Sequence, residues 1–376
     1  STADVLWDVP IKLDVGGGQF MIPVNYDGRY RGPVLFRDAL ANSYNIPPIQ
    51  LLRDIGIPTF IQTARKLGIE SLVERAGFYG LSITLGGGEV PLLELTHAFA
   101  TFANQGQKPQ LTSILQITDS RGNIIYDVQD ERVPPLKALD ERIAYIITDI
   151  LADNEARVPA MGRGSALDLP FPAAVKTGTT NDFRDAWTVG YTPSLVVGVW
   201  LGNADGHPMH DLPGLRGAAP VWNRIMTELY ADEELQRSLL VNGRSPSLNF
   251  TPPGGLETGK VCLPSGTGGS QCRATRDELF IVGAPRQGNP RVQYNPNADA
   301  NPGAWTLTTH SLSAEDAQKV QLGELDDGTK PPLPTTCIVN ASRVPLGGST
   351  RLYLQIPPHY PDEVRARLWA RGTGYQ

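Results

Sequence analysis

The chain has 376 residues, 40% of them hydrophobic and 19% charged, with a formal net charge of -6. That length exceeds one typical domain and the composition is globular, so two domains with packed cores are expected. The acidic balance, without any block of basic residues, excludes a nucleic-acid partner, and no apolar run approaches the roughly 18 residues of a membrane span. No signal peptide opens the chain. It begins at Ser1-Thr2-Ala3-Asp4, without methionine, as expected of a piece cut from a longer protein.

Residues 1–32 read as strand and loop, with turns at Val15-Gly16-Gly17-Gly18-Gln19 and at Pro23-Val24-Asn25-Tyr26-Asp27-Gly28. The spacing of Val34, Leu35, Ala39 and Leu40 predicts a helix from near Pro33. It should break around Ser43-Tyr44-Asn45, because Pro47 and Pro48 follow. In a break between two helices Ser43 and Asn45 can both face a cleft, one as a proton relay and the other as partner to an amide. The plainer alternative is a cap-and-turn pair. Pro58 and Gly68 bracket a helix over 59–67. The turn Leu85-Gly86-Gly87-Gly88-Glu89 lacks the Lys-Ser/Thr ending of a phosphate loop. Leu92, Leu95, Phe99 and Phe102 mark the buried face of a helix over 91–104, in which His97 reads as a packing residue.

Strands over 111–118 and 123–128 flank the hairpin turn Asp119-Ser120-Arg121-Gly122. Asp140 caps a helix running to Asp153, with Ile143, Ile147 and Ile150 expected to face inward. An apolar lead over 171–175 then delivers Lys176-Thr177-Gly178-Thr179-Thr180. On a strand Lys176 and Gly178 face one way, and Thr177 and Thr179 the other. Gly178 leaves room for another backbone. Such an edge strand suits an extended peptide, with Lys176 supplying positive charge and Thr177 or Thr179 holding a carboxylate. An ordinary hairpin strand that contains a lysine is the alternative. Strands over 184–190 and 194–202 continue it as an antiparallel meander, and a helix over 221–230 covers the sheet.

Composition shifts near Val241 to a tail rich in proline and glycine, with short β-type runs at 280–282, 305–307, 337–339 and 351–356. A small all-β module is expected there. Cys262 and Cys272 enclose a glycine-rich loop that a disulfide could close, with Cys337 left over. A zinc site is disfavoured, since the spacing is not CxxC.

Taken together, these landmarks resemble the transpeptidase domain of the class A penicillin-binding proteins, particularly the 1C type. The resemblance rests on Asn25-Tyr26-Asp27-Gly28, on the run from Arg37 to Pro47, and on Leu85-Gly86-Gly87-Gly88-Glu89-Val90. It also rests on Lys176-Thr177-Gly178-Thr179-Thr180, Asp185-Ala186-Trp187 and Val199-Trp200-Leu201-Gly202-Asn203. It spans about residues 4–230, and the tail from about residue 250 more loosely resembles the C-terminal module of 1C-type proteins. What it implies is an α/β (α+β) chain of the serine β-lactamase/transpeptidase-like fold, an antiparallel sheet flanked by helices. That domain would occupy residues 1–240, and the small all-β C-terminal module residues 241–376.

The family works with three motifs around one cleft. Ser43 and Asn45 fit SxN: Ser43 would relay a proton to the leaving amine and Asn45 would hold the donor peptide's amide. Lys176, Thr177, Gly178 and Thr179 fit KTGT. Lys176 would support proton transfer electrostatically, Thr177 and Thr179 would bind the terminal carboxylate, and the Thr179 backbone would join the oxyanion hole. Asp185 and Trp187 read as scaffold. The nucleophile's motif, SxxK, occurs nowhere in the sequence: the residue three before each lysine is never serine. The chain is therefore expected to begin just past the nucleophile and to be inactive alone.

By resemblance, the intact parent is a bifunctional glycosyltransferase and D,D-transpeptidase that cross-links peptidoglycan by acyl transfer from D-Ala-D-Ala. Expected partners are peptidoglycan stem peptides, lipid-linked glycan strands and β-lactams. No metal or organic cofactor is implied. The place of work is the cell envelope, at the outer face of the cytoplasmic membrane, periplasmic or extracellular, with a membrane anchor upstream. The rivals are a non-catalytic peptide-binding protein on the same fold and a D,D-carboxypeptidase. A β-lactamase is disfavoured, since no acidic deacylation loop is evident.

Overall fold

The computed structural model describes residues 2, 5–8, 11, 13–16, 19–73, 78–128, 130, 134–180, 183–210, 212–238, 247–262, 275–283, 292–294, 305–307, 344–346 and 349–351. Its elements begin with β1 (Val5–Asp8), β2 (Leu13–Gly16), β3 (Gln19–Met21), β4 (Gly32–Leu35), α1 (Phe36–Ala41), α2 (Ile46–Ile55) and α3 (Ile57–Leu67). A 3-10 turn (Leu81–Leu85) leads to α4 (Leu92–Ala103), β5 (Gln107–Lys108), β6 (Gln116–Thr118), β7 (Ile124–Asp127) and β8 (Leu136–Lys137). Next come α5 (Glu141–Ala152), α6 (Asn154–Met161), β9 (Ala174–Thr179), β10 (Asp185–Tyr191), β11 (Val196–Gly202), α7 (Ala218–Ala231) and α8 (Glu233–Ser238). The tail contributes β12 (Leu256–Cys262), β13 (Thr275–Ile281) and four short strands, β14 (Val292–Tyr294), β15 (Trp305–Leu307), β16 (Val344–Leu346) and β17 (Ser349–Arg351). No helix among the described residues is long and apolar enough to cross a membrane.

The chain divides into two compact units, residues 51–254 and residues 1–50 with 255–376. In the first unit β11, β10 and β9 form an antiparallel sheet in that order, so β9 lies at an edge. The pleat sends alternate residues to opposite layers. Val175, Val197 and Val199 pack with Trp222 and Met226 of α7 on one face. On the other, Tyr191 meets Phe99 of α4 edge to face and its hydroxyl lies 2.8 Å from Thr148 Oγ1 of α5. Gly190 is dictated by packing: a Cβ there would come 2.3 Å from the Trp222 ring. In α5, Ile150 and Ala144 are fully buried while Ile143 is exposed, which corrects the inward face expected for Ile143. His97 is buried with Nε2 2.7 Å from Pro109 O, a packing role as expected.

In the second unit β1 pairs antiparallel with β4, from Val5 opposite Leu35 to Asp8 opposite Gly32. That pairing overrides the helical spacing of Val34 and Leu35, and the helix begins at Phe36 instead of Pro33. Pro47 and Pro48 do not end a helix. They occupy the first turn of α2, where an N–H would have no helical acceptor.

Residues 255–281 fall in one unit with the first fifty, and four charged side chains join α1 to β13 within it. Arg37 of α1 donates from Nε to Glu278 Oε2 of β13 at 2.8 Å, with both side chains at 5% exposure or less. Arg276 donates from Nε to Glu278 Oε1 at 2.9 Å and from its two Nη atoms to Asp38 at 2.7 and 3.1 Å. Two cations and two carboxylates thus neutralise one another across α1 and β13. The pairing of Cys262 with Cys272 lies outside the described residues, as does the run at 337–339.

Glu278→Ala strips a buried guanidinium of its carboxylate, and should cost about 3 to 5 kcal/mol. Calorimetry would show this as a lowered melting temperature. The half-exposed Arg276–Asp38 pair should matter less, with Asp38→Ala costing about 1 kcal/mol.

Candidate active site

The strand β9 carries four of the expected residues together. Ala174 and Val175 are buried, Lys176, Thr177 and Gly178 half-buried, and Thr179 exposed. Opposite them on β10 stand Val189 for Lys176, Thr188 for Thr177, Trp187 for Gly178 and Ala186 for Thr179. Gly178 admits Trp187, since a Cβ there would lie 3.3 Å from Trp187 Cβ. The alternation puts Lys176 on the face that Tyr191 shares with α4 and α5, and the two threonines on the α7 face.

Lys176 donates from Nζ to Thr177 O at 2.7 Å. Desolvation lowers its pKa to about 8, and the positive charge of Arg157 pushes the same way. Arg157, on α6, is itself buried and donates from Nη2 to Leu151 O at 2.7 Å. A lysine held near 8 is still mostly cationic at neutral pH yet close enough to exchange a proton.

The Thr179 hydroxyl oxygen accepts the backbone N–H of Gly214 at 3.0 Å. That bond uses an acceptor lone pair and leaves the O–H as a donor. Gly214 must be glycine at this approach, because a Cβ would lie 2.5 Å from Gly178 O and 2.6 Å from Trp187 O. Beyond the strand, Thr180 Oγ1 donates to Asp185 Oδ2 at 2.8 Å while Asp185 Oδ1 accepts Trp200 Nε1 at 2.9 Å. Asp185 therefore pins the β9–β10 turn to β11. The glycine turn after Leu85 reaches the same end of β9: a Cβ on Gly86 would lie 2.8 Å from Thr180 Cγ2.

Ser43 and Asn45 sit in the other unit, in the link between α1 and α2. Ser43 N donates to Leu40 O at 3.2 Å and Tyr44 N to Ala39 O at 3.0 Å, while Ser43 has φ 56. This is a Schellman cap with serine at the left-handed position that usually takes glycine. Asn45 is held twice: its backbone N–H donates to Asn25 Oδ1 at 2.7 Å, and its Nδ2 donates to Val24 O at 2.7 Å. The sequence had pointed to Asn25 only as part of a motif, with no role attached, and to Arg157 not at all. A lone arginine on a short helix carries no signal until burial is known.

The penicillin-binding protein transpeptidase domain matches residues 13–227. The chain belongs to that family. It is 33% identical over 228 residues to penicillin-binding protein 1A of Aquifex aeolicus, covering 59% of this chain and 30% of that one. To penicillin-binding protein 1C of Escherichia coli it is 29% identical over 276 residues, covering 72% and 31%. It thus spans about a third of the length of these relatives. Among solved structures, penicillin-binding protein 1A from Haemophilus influenzae matches with TM-score 0.62 at 21% identity, covering 75% of this chain and 45% of that one. PonA1 from Mycobacterium tuberculosis in complex with penicillin V matches with TM-score 0.52 at 21% identity, covering 61% and 64%. These likenesses bear out the transpeptidase-like fold, an antiparallel sheet flanked by helices, and the relatives' names are the class A types that the motifs resemble.

Two measurements probe this geometry. Lys176 should titrate near 8 when followed by NMR of the labelled side chain, and Arg157→Met should move the midpoint upward though not to 10.5, since desolvation remains. Ser43→Gly should relieve the left-handed backbone and raise stability by about 0.5 to 1 kcal/mol, whereas Ser43→Ala should not.

Proposed function

We propose that this chain is the donor-binding part of a serine D,D-transpeptidase that cross-links peptidoglycan stem peptides, within a protein that also carries a glycosyltransferase. The observation that carries the reading is β9 itself: an edge strand with a lysine of lowered pKa on one face and a fixed, donor-ready threonine hydroxyl on the other. Family membership gives that strand its context.

In this reading a stem peptide ending in D-Ala-D-Ala lies along β9 as an added strand. The O–H of Thr179 and that of Thr177 donate to its terminal carboxylate. A serine supplied by the parent protein attacks the penultimate carbonyl carbon, the C–N bond breaks, and D-Ala leaves with a proton relayed through Ser43. An amine of a second stem peptide then attacks the acyl ester, and the serine oxygen departs with a proton. Asn45 holds the donor's amide. Lys176, cationic at neutral pH, stabilises the negative charge that develops during each transfer. β-Lactams would acylate the same serine, and the work would be done at the outer face of the cytoplasmic membrane.

Fluorescent penicillin tests the reading. The 376-residue chain contains no SxxK, so it should take no covalent label. The full-length protein should be labelled, and Lys176→Ala should slow its labelling by about 100-fold or more. A full-length protein that never takes label would instead be a peptide binder. Release of D-Ala with trimmed monomer and no cross-linked dimer would mark a carboxypeptidase.

A further inference from the structure

Asn25 occupies an unusual place in the unit that holds Ser43 and Asn45. It is 3% exposed, and all of its amide is in use. Its Nδ2 donates to both oxygens of Asp8, at 2.7 and 2.9 Å, and to Arg29 O at 2.7 Å. Its Oδ1 accepts the Asn45 N–H at 2.7 Å. The orientation of the amide is forced, since a carboxylate and a carbonyl can only accept and a backbone N–H can only donate. An aspartate at this position would face Asp8 with acceptor against acceptor.

Asp8 is fully buried, and its carboxylate also accepts the backbone N–H of Arg31 at 3.0 Å. The Arg31 guanidinium lies 3.7 Å from Asp8, donates to Asp27 at 2.6 Å, and stacks 4.1 Å over the ring of Tyr44, the residue between Ser43 and Asn45. Residues 24–31 thus grip the Ser43–Asn45 link at three points: Val24 O on the Asn45 side chain, Asn25 on its backbone, and Arg31 on Tyr44. Two of the grips, those of Asn25 and Arg31, lead back to one carboxylate with no exposure, that of Asp8.

We propose that Asn25, oriented by the buried carboxylate of Asp8, is the positioning residue for Asn45, fixing its backbone so that its carboxamide meets the amide of the bound peptide. This rests on the transpeptidase reading above, in which Asn45 holds the donor. Asn25 touches no substrate and acts only through Asn45. The link needs such support, because its turn places a serine in a left-handed conformation that costs energy to hold.

The test is a double-mutant cycle in the full-length protein, read as the rate of acylation by fluorescent penicillin. Asn25→Asp should slow acylation by about 100-fold at neutral pH, the scale of loss for a small misplacement of a substrate-holding group. In an Asn45→Ala background the same change should cost less than about 3-fold, because the group it positions is gone. The Asn25→Asp loss should also shrink as pH falls toward about 5, where two facing carboxylates share a proton and one can donate again. The charged and titratable groups around the pair are Arg31, Asp27 and Tyr44, with Asp38 acting on Tyr44. Should Asn25→Asp fail to fold, the exchange Asp8→Asn/Asn25→Asp restores a donor facing an acceptor between positions 8 and 25 and keeps an acceptor for the Asn45 N–H, giving up only the bond to Arg29 O. That exchange should acylate within about 20-fold of the unsubstituted protein, short of full recovery because Arg29 O loses its donor. An equal loss from Asn25→Asp with and without the Asn45 carboxamide, while the unsubstituted protein is acylated, overturns the inference alone. Failure of the exchange to restore acylation in a protein that melts normally overturns it as well. No acylation of the unsubstituted protein overturns the transpeptidase reading, and this inference with it.

Discussion

The pleat of one edge strand is the constraint on which the candidate chemistry depends. Because successive residues of β9 must face opposite layers, a lysine and two threonines in one short run cannot share an environment. Lys176 goes to the side where Tyr191 and α5 meet, and desolvation and Arg157 lower its pKa there. Thr179 goes to the other side, where the backbone of Gly214 fixes its hydroxyl. A slip of one residue in register would exchange the two and destroy both arrangements. The register is secured by glycines that admit large neighbours: Gly178 admits Trp187 and Gly190 admits Trp222.

The link between α1 and α2 solves a different problem. A helix must end, reverse and restart within four residues while presenting two polar side chains. A Schellman cap ends the first helix and two prolines begin the second. The conformation at Ser43 would suit glycine better, so the sequence retains a hydroxyl where backbone energetics would not choose one. Local strain of this kind collects where function needs a side chain. The network from Asp8 through Asn25 and Arg31 is what over-determines the link and holds it against that strain.

Residues from the tail join the same unit as this link. Glu278 and Arg276 of β13 neutralise Arg37 and Asp38 of α1, and Thr2 Oγ1 donates to Leu279 O at 3.0 Å. An ion pair buried this deeply adds little net stability over a well-packed apolar pair, yet it punishes any arrangement that separates its members. It therefore specifies which strand lies against α1 more than it strengthens the contact.

Much of this was legible in the sequence for local reasons. The meander β9 to β11, the capped helix α5, the turn at Asp119 to Gly122 and the break at Ser43 to Asn45 follow from periodicity, capping and turn chemistry within a few residues. The two polar motifs could be named as candidates only through the joint set of motifs, since each alone reads equally as a cap-and-turn pair or a hairpin strand. What failed depended on partners far away in the chain. Val34 and Leu35 have helical spacing but pair with β1, Ile143 lies on the exposed side of α5, and α6 with its buried Arg157 left no periodic trace. Burial, pKa and the orientation of an amide are properties of what surrounds a group, so the lowered pKa of Lys176 and the linking role of Asn25 between Asp8 and Asn45 were decided only once the tertiary fold brought distant residues together.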